Sequence, residues 1–528
     1  GPSSDATFFL DHMEHRGEKF GVEYRYVYSN RSKGTGMIDV LKDRQIDDGI
    51  DDSSSRWGYE DDQYLRPNQD RYWIRGKIDH ELPYNFFARV DIDAVSDQDY
   101  LLEFKGGQNG FDETQRYFES TFGRGTDDYT DTIRLNRINV TRSWEKQSLN
   151  VETRWYDNVL YRRHSDPDDP DTTLHRLPFI EYDISKNQVL HSPLYYSLNS
   201  EYTRFYRKDG LRGHRIDFYP NLSLPLRLKN YASLEPAIGI RETYWHVDQF
   251  ESQTADQEKS RLRDLYDIRI DLSSEVYKVF GVNGKSIDKI RHGIIPKITY
   301  EYLPKKEQSQ FPAFDGIDRI GNKNFIAYSL ANTFTYRSKT KTKTDEEASY
   351  TYREFLSLKF SQSYDINKAN DDEVENKEPF SNIAGRLEFY PSDYLYLESD
   401  TQWSPDESDF MTFNSKAKLM DFRGDQLLGE YRYRRDSSDE SRDGKESLYG
   451  RLGLNLFYGI SAYAEFERNL YEHRDIKTGF GFLYKSQCWS LDFRYTDEIE
   501  DRTYSVMINL FGLGGFGQSL GNVKSEEK

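Results

Sequence analysis

The chain has 528 residues, a net charge of −19 and a mean hydropathy of −0.89. This acidic balance argues against nucleic-acid binding, because contacts to phosphates need a local excess of lysine and arginine. An aromatic content of 15% excludes a disordered acidic chain, and the sequence has no run of about 18 apolar residues, which a transmembrane helix would need.

The predicted elements along the chain are β-strands in which apolar and polar residues alternate. Such alternation places apolar side chains on one face of a strand and polar side chains on the other. It occurs in the ranges 20–28, 214–228, 383–389, 452–458, 460–466 and 504–510. The run 214–228, HRIDFYPNLSLPLRL, is much longer than an ordinary strand of about 5–6 residues, which favours strands that cross a membrane.

The connections between these strands are of two kinds. Short turns are expected at 82–85, 144–147, 229–230, 391–393, 423–426 and 458–460. Long polar loops are expected at 44–69, 105–131, 161–175, 248–261, 305–324, 367–379 and 435–446. Short turns on the periplasmic side and long loops outside are typical of a meander across the outer membrane. We therefore predict an all-β chain, a large antiparallel transmembrane β-barrel of about 24 strands, with a periplasmic C-terminus because an even strand number returns the chain to its starting side.

The whole chain is predicted to form one barrel domain, residues 6–517. Residues 1–5 form an N-terminal stub that begins with GP, which resembles a tag scar, and residues 518–528 form a short charged C-terminal tail. The start has no secretory signal pattern, so we expect a mature or truncated chain. The one cysteine, Cys488, has no internal partner for a disulfide.

Other functional classes have weaker support in the sequence. A soluble β-sandwich string or propeller would have shorter strands, and a propeller would show a repeat of about 40–50 residues. Motifs of common hydrolases, zinc proteases and phosphate-binding loops are absent, so we predict no enzyme and no cofactor. The aspartate-rich stretches at 46–55 and 165–171 lack calcium-loop spacing and are expected to be solvated outer loops without a metal.

The run 214–228 gives the candidate wall residues. Its odd positions are polar and are expected to face the lumen: Arg215, Asp217, Asn221 and Arg227. Prolines cluster in the same sector: Pro178, Pro193, Pro220, Pro225 and Pro236. Because proline removes a donor from the strand ladder, we expect bulges there, or contacts with another part of the assembly; packing without a role in transport is the alternative.

Three stretches resemble a known family. They are ARVDIDAVSDQDYLLEF at 88–104, HRLPFIEY at 175–182 leading into the block 210–245, and QCWSLDFRY at 487–495 before a last strand. Their order and spacing are similar to those in the LPS-assembly proteins of Gram-negative outer membranes (LptD, or OstA-like). The resemblance covers nearly the whole chain, and the block 210–245 is its most specific part.

The resemblance implies a translocon that delivers lipopolysaccharide to the outer leaflet. Family barrels have 26 strands, so two strands are expected to be missing from our count, within 33–43 and 99–123. The family also implies an LptE-like lipoprotein that plugs the lumen, and an N-terminal jelly-roll that receives lipid from an LptA-like periplasmic bridge. The chain begins at the first barrel strand, so the jelly-roll is expected to be absent from it. The alternative function is another large outer-membrane barrel, a porin or a ligand-gated transporter.

The family resemblance also locates a lateral gate between the first and last strands. The lipid would leave there while the saccharide passes through the lumen. The gate residues are expected to be Phe8, Phe9, Leu10, Tyr504, Val506, Ile508, Leu510 and Gly512. Glycines after residue 510 would weaken this seam, since glycine lowers strand stability. Cys488 is expected to form a disulfide with the absent N-terminal domain, or else to be a small buried apolar side chain.

Overall fold

A computed structural model describes most of the chain. The described residues are 3–50, 52–57, 65–97, 99–107, 109–163, 170–250, 258–284, 286–340, 349–372, 377–435, 444–498, 502–510 and 514–520. No helix among them is long and apolar enough to cross a membrane. Every described ladder between strands is antiparallel and joins strands that follow closely along the chain. This confirms the predicted all-β class and the strand number of a large β-barrel.

The strands number 27 within the described residues. They are β1 Ser4–Met13, β2 Gly17–Ser29, β3 Ser32–Lys42, β4 Asp70–Leu82, β5 Phe86–Val95, β6 Ile133–Ser143, β7 Gln147–Asn158, β8 His175–Gln188, β9 Tyr195–Tyr206, β10 Arg212–Ser223, β11 Leu226–Leu228, β12 Ala232–Gln249, β13 Ser260–Ser273, β14 Val276–Gly281, β15 Ile287–Leu303, β16 Lys323–Thr340, β17 Ser349–Asp365, β18 Ile383–Ser392, β19 Leu395–Ser404, β20 Asp409–Met420, β21 Gln426–Arg435, β22 Gly444–Asn455, β23 Ile460–Asn469, β24 Arg474–Lys485, β25 Trp489–Glu498, β26 Arg502–Leu510 and β27 Gly514–Leu520. Both β10 and β11 pair with β12, and both β13 and β14 pair with β15, so each of these two pairs is one interrupted strand.

Helices are few and short. They are α1 Ser53–Trp57, α2 Tyr100–Glu103, α3 Phe111–Phe122, α4 Val159–Arg163 and α5 Ile366–Ala369, with 3₁₀ turns at Pro83–Asn85 and Gly316–Asp318. The expectation of additional strands is therefore confirmed for 33–43, which is β3, and wrong for 99–123, which forms α2 and α3. In α3 the buried residues Phe111, Thr114 and Phe118 recur at helical spacing, and Gly123 ends the helix in the left-handed conformation (φ 68°).

The chain divides into two compact units. The first comprises Gly1–Leu224, Ala237–Asp267 and Lys305–Asn322, and the second comprises Pro225–Pro236, Ile268–Pro304 and Lys323–Lys528. In the first unit, burial is reversed relative to a soluble protein: charged residues are buried, whereas many large apolar side chains are exposed. On β10, Arg215 and Asp217 are completely buried while Ile216 and Phe218 are about half exposed. Strands such as β4 and β10 thus have a polar face covered by protein and an apolar face that is more exposed, as expected of a transmembrane barrel wall.

Prolines interrupt the ladders of the predicted proline sector. The sequence predicts one continuous strand over 214–228, and this prediction is wrong. The strand breaks at Leu224 and Pro225, between β10 and β11. On the side of β10 that faces β12, no Cα partner is recorded for Tyr219 and Pro220. Pro236 falls between the two ladders of β12, Pro178 lies at a register shift between β8 and β9, and Pro193 lies in the turn that joins those strands. The missing proline N–H accounts for the irregularities at Pro178, Pro220, Pro225 and Pro236, whereas Pro193 lies in a turn and interrupts no ladder.

Candidate functional site

The candidate site is the polar face of the first unit, where strand periodicity brings charged side chains from neighbouring strands together. Asp39 of β3 pairs with Arg75 of β4 at 2.8 Å, and Lys77 of β4 pairs with Asp91 of β5 at 3.3 Å. These side chains are almost fully buried. Buried charges are tolerated only when they are paired and hydrogen-bonded, so this face is built as a network of matched ion pairs.

A helical segment, defined as the described part of residues 99–132, covers one part of this face. The rings of Tyr100 and Phe118 are fully buried, and the Phe111 ring stacks on Trp73 of β4 at 6.3 Å between centroids. The Tyr117 hydroxyl lies 2.9 Å from the Thr35 hydroxyl of β3. The sequence predicts a polar outer loop for residues 105–131, and the structure has helix α3 within it instead. The spacing of the phenylalanines is the signal for this helix, since aromatic residues at helical intervals indicate a buried helix face.

Ion pairs hold this segment against the strands near the end of β3. The Arg71 guanidinium contacts three carboxylates, Asp43 (2.9 Å), Asp97 (2.6 Å) and Glu103 (2.6 Å), and Arg16 pairs with Asp43 and Glu103 as well. Burial alone raises the pKa of Asp43, but hydrogen bonds from Arg16, from the Gln45 amide and from Arg71 outweigh it and hold the pKa below the ordinary aspartate range. The carboxylate therefore stays charged at neutral pH.

An aromatic segment, residues 305–322, covers another part of the polar face. The Phe314 ring stacks on Phe205 of β9 with centroids 4.3 Å apart, and Phe311 stacks on Trp245 of β12 at 5.1 Å. All four side chains belong to one buried cluster. The prediction of a polar outer loop at 305–324 was wrong in this respect, and its aromatic residues were again the available signal. The long connection folds back onto the strands because burying these rings is favourable.

Arg215 is the central charge beneath the aromatic segment. Its guanidinium is fully buried and contacts Glu201 at 2.6 Å, Asp315 at 2.5 Å and Asp318 at 2.9 Å. Asp318 is also fully buried, and it accepts hydrogen bonds from the Trp245 indole (2.7 Å) and the Phe314 amide (2.6 Å). Every oxygen of Asp318 therefore has a partner, which offsets part of the cost of removing the carboxylate from water.

The other wall residues predicted with Arg215 are placed differently. Asp217 is fully buried, lies 2.8 Å from Arg241 and accepts a hydrogen bond from Thr243 at 2.7 Å. Asn221 is half-buried on β10, and Arg227 is exposed on β11. The structure therefore brings Arg215 and Asp217 into the ion-pair network, and Arg227 lies in the second unit, outside the network just described.

The predicted gate residues lie on β1 and β26. Phe8 and Leu10 are largely exposed, whereas Phe9 is half-buried on the opposite face of β1. On β26, Tyr504, Val506 and Ile508 are exposed and Leu510 is half-buried, while Gly512 lies outside the described residues. Strand β26 pairs with β25 on one side and with β27 on the other. The last described strand is thus β27, one strand later than the sequence predicted, and it includes part of the predicted tail.

Cys488 lies in the tight turn between β24 and β25, where its thiol is free and exposed. The alternative prediction of a small buried apolar side chain is therefore wrong. No group of three or more His, Cys, Asp or Glu residues with the geometry of a metal site occurs in the part of the chain that the structure describes.

Comparison with known proteins gives one consistent family. The family model described as "LptD: LPS transport system D" matches residues 69–464. The LPS-assembly protein LptD of Aliivibrio fischeri is 24% identical over 538 residues, covering 94% of this chain and 61% of that protein. The LptD proteins of Vibrio vulnificus and Vibrio cholerae are 23% and 21% identical, covering 94% and 98% of this chain and 61% and 65% of theirs.

The chain thus spans less than two thirds of the length of these curated relatives. Among solved structures, the ferric enterobactin receptor (PfeA) in complex with BCV-L6 matches at 10% identity with a TM-score of 0.31, covering 99% of this chain and 78% of that chain. A similarity of that size does not bear on fold or function.

Proposed function

The chain belongs to the LptD family of LPS transport proteins, as the sequence resemblance predicted, and on that premise we propose that it forms the outer-membrane barrel that delivers lipopolysaccharide to the outer leaflet. The observation that carries the proposal is the reversed burial of the first unit, combined with the family match across residues 69–464. An apolar outer face suits the lipid bilayer, and a charged inner face suits a hydrated, phosphate-bearing saccharide. The role is transport, and no residue is assigned a catalytic part.

Depletion of the full-length protein in cells tests this proposal. Lipopolysaccharide is expected to accumulate short of the cell surface, while a porin inserted by the general barrel-assembly route still reaches the outer membrane. Surface lipopolysaccharide is measured with an impermeant label. Unchanged surface lipopolysaccharide after depletion would contradict the proposal, and a parallel loss of the porin would point to a general assembly defect instead.

The proposed route of the lipid is a lateral seam between β1 and the C-terminal strands of the chain. Each unpaired backbone group in hydrocarbon costs several kcal/mol, so a seam that opens must have few or weak ladder bonds. Strand β27 supports this idea because Gly514, Gly515 and Gly517 lie on it, opposite Leu510, Asn509 and Met507 of β26, and glycine weakens a strand. The saccharide would pass along the polar face.

Cysteine cross-linking tests the seam. Because Phe8 and Leu10 lie on the exposed face of β1 and Phe9 does not, cysteines at Phe8 or Leu10 are preferred to one at Phe9 as partners for a cysteine at Ile508. Since β27 follows β26, a second set uses cysteines on β27. Complete cross-linking is expected to stop export, and reduction should restore it. Normal export with a complete cross-link would refute the gate.

The proposed partners come from the family. They are lipopolysaccharide itself, an LptE-like plug lipoprotein, outer-membrane lipids, and an LptA-like periplasmic bridge that acts through an N-terminal domain. A periplasmic C-terminus is proposed as well, although β27 carries Leu520 back beside Tyr504 and the residues after 520 lie outside the described part. We also propose that Cys488, whose thiol is exposed, forms a disulfide with the N-terminal domain that the family resemblance implies.

A further inference from the structure

A cleft of about 430 Å³ lies on the polar face of the first unit, below the end of helix α3. Phe122, Gly123 and Arg124 line it on the helix side. On the strand side it is lined by Arg89, Arg137, Asn139, Thr141, Asn150 and Glu152. These strand residues are close in sequence to the tight turns at Pro83–Asn85 and 144–146, so the cleft lies between the helix and the short-turn end of the sheet.

The charged side chains around the cleft differ in whether they already have an ion-pair partner. Arg124 and Arg137 both hold the Asp91 carboxylate, at 2.7 Å and 2.6 Å, and Arg124 also pairs with Asp79 at 2.7 Å. These two guanidinium groups are therefore already held in ion pairs with carboxylates of the wall.

The other two charged residues that line the cleft, Arg89 and Glu152, differ in their pairing. Glu152 is paired with Arg154 at 2.5 Å. Arg89 has no ion pair with any carboxylate of the described residues; its guanidinium stacks on the Phe87 ring at 4.9 Å and is exposed. Arg89 is thus the guanidinium at this cleft that is free to meet an incoming anion.

Neutral donors and acceptors surround this free guanidinium. The Asn139 side chain donates to Asn150 at 2.5 Å, and Asn150 in turn donates to Glu181 at 3.4 Å. The Thr141 hydroxyl donates weakly to the Phe87 carbonyl at 3.5 Å and keeps its oxygen lone pairs as acceptors. Amides and hydroxyls of this kind exchange hydrogen bonds with sugar hydroxyls, and a planar guanidinium binds phosphate or carboxylate with two parallel hydrogen bonds. The aromatic ring of Phe122 adds an apolar surface at the edge of the cleft.

We propose that this cleft binds an anionic sugar, with its phosphate or carboxylate on Arg89 and its hydroxyls on Asn139, Thr141 and Asn150. This inference deepens the proposed function and rests on it, because the saccharide of lipopolysaccharide carries acidic groups of this class. The cleft would hold an acidic sugar on the polar face at the short-turn end, beside the end of helix α3.

Calorimetric titration of the purified, detergent-solubilised chain tests this site. Glucosamine 6-phosphate is expected to bind at least about tenfold more tightly than glucosamine, since a charge-assisted hydrogen bond is worth that much. Arg89→Gln should remove about this tenfold advantage, and Arg89→Lys should restore part of it. Arg142→Gln is the matched control, because Arg142 also stacks on an aromatic ring, Trp144 at 4.4 Å, but does not line the cleft.

Three results would overturn the inference: equal affinity for the two sugars, no effect of Arg89→Gln, or inorganic phosphate binding as tightly as the phosphosugar. Folding is checked by heat-modifiable migration on gels, which should not change in either variant. The titration is independent of export. Sugar binding without an export defect on depletion would refute the proposed function alone, whereas an export defect without sugar binding would refute the cleft alone.

Discussion

Replacing Arg215 with methionine is expected to release the aromatic segment from the strands. In the native protein one buried guanidinium satisfies Glu201, Asp315 and Asp318 at distances of 2.5–2.9 Å. Methionine has a similar length but no charge, so it leaves buried carboxylates facing each other. Arg176 still pairs with Asp315 at 3.1 Å, but Asp318 is fully buried and keeps only its neutral donors.

The size of the effect follows from breaking a buried ion pair by removing one partner, which costs about 3–5 kcal/mol. If the segment opens locally, that cost raises the population of its open form by about two to three and a half orders of magnitude, since about 1.4 kcal/mol corresponds to a factor of ten. Hydrogen exchange is the direct assay. The amides of Phe314 and Ile317, which donate to Asp318 and Asp315, should lose that much protection.

Two further variants test whether the charge and the geometry of the Arg215 side chain cause the loss of protection. Arg215→Lys keeps the charge but not the forked geometry, so an intermediate loss of protection is expected. Arg386→Gln is the exposed control: its partners Glu388 and Glu398 lie at 2.7 Å and 3.1 Å on an arginine that is 55% exposed, where a pair is worth about 0–1 kcal/mol. Unchanged protection at both amides in Arg215→Met would refute the view that Arg215 fastens this segment.

Three other predictions follow from the same unit and from Cys488. Phe118→Ala should destabilise the helical segment by about 3–5 kcal/mol, measured as faster hydrogen exchange within Phe111–Phe122, and Phe122→Ala should have less effect because that ring is only half-buried. Burial raises the pKa of Asp315, but hydrogen bonds from Arg215 outweigh it and hold that pKa below its ordinary value. The contribution of Asp315 to stability is therefore present above about pH 4 and is lost as the pH falls through the lowered pKa. Pepsin should cleave the aromatic segment only in strong acid, and Asp315→Asn should remove that pH dependence. Cys488 should react rapidly with a maleimide in this chain and be protected until reduction in the full-length protein, and equal reactivity in both would contradict the proposed disulfide.

Much of the fold was predictable because a strand that faces lipid on one side and polar groups on the other has a period of two in its sequence. The run around Arg215 and Asp217 shows this, since the predicted face of each residue between 214 and 218 matches its burial. The two covering segments were not predicted, because each was judged by its polarity as a connection. What decides their position is contact with distant residues: Phe314 finds Phe205, and Tyr117 finds Thr35. Local sequence pattern does not contain such long-range pairings.

The position of the aromatic segment has a consequence for the order in which the chain is assembled. Its charged groups meet Arg215 across about 100 positions of sequence, and closing so long a loop is entropically costly and slow. The intervening residues Ile268–Pro304 belong to the second unit. The first unit is therefore not complete until residues 305–322, which follow Pro225–Pro236 and Ile268–Pro304 of the second unit along the chain, have docked. Until then Trp245 and Phe205 lack their ring partners, and an assembly intermediate with those aromatic residues uncovered is a natural target for the chaperones and insertion machinery that handle unfinished barrels.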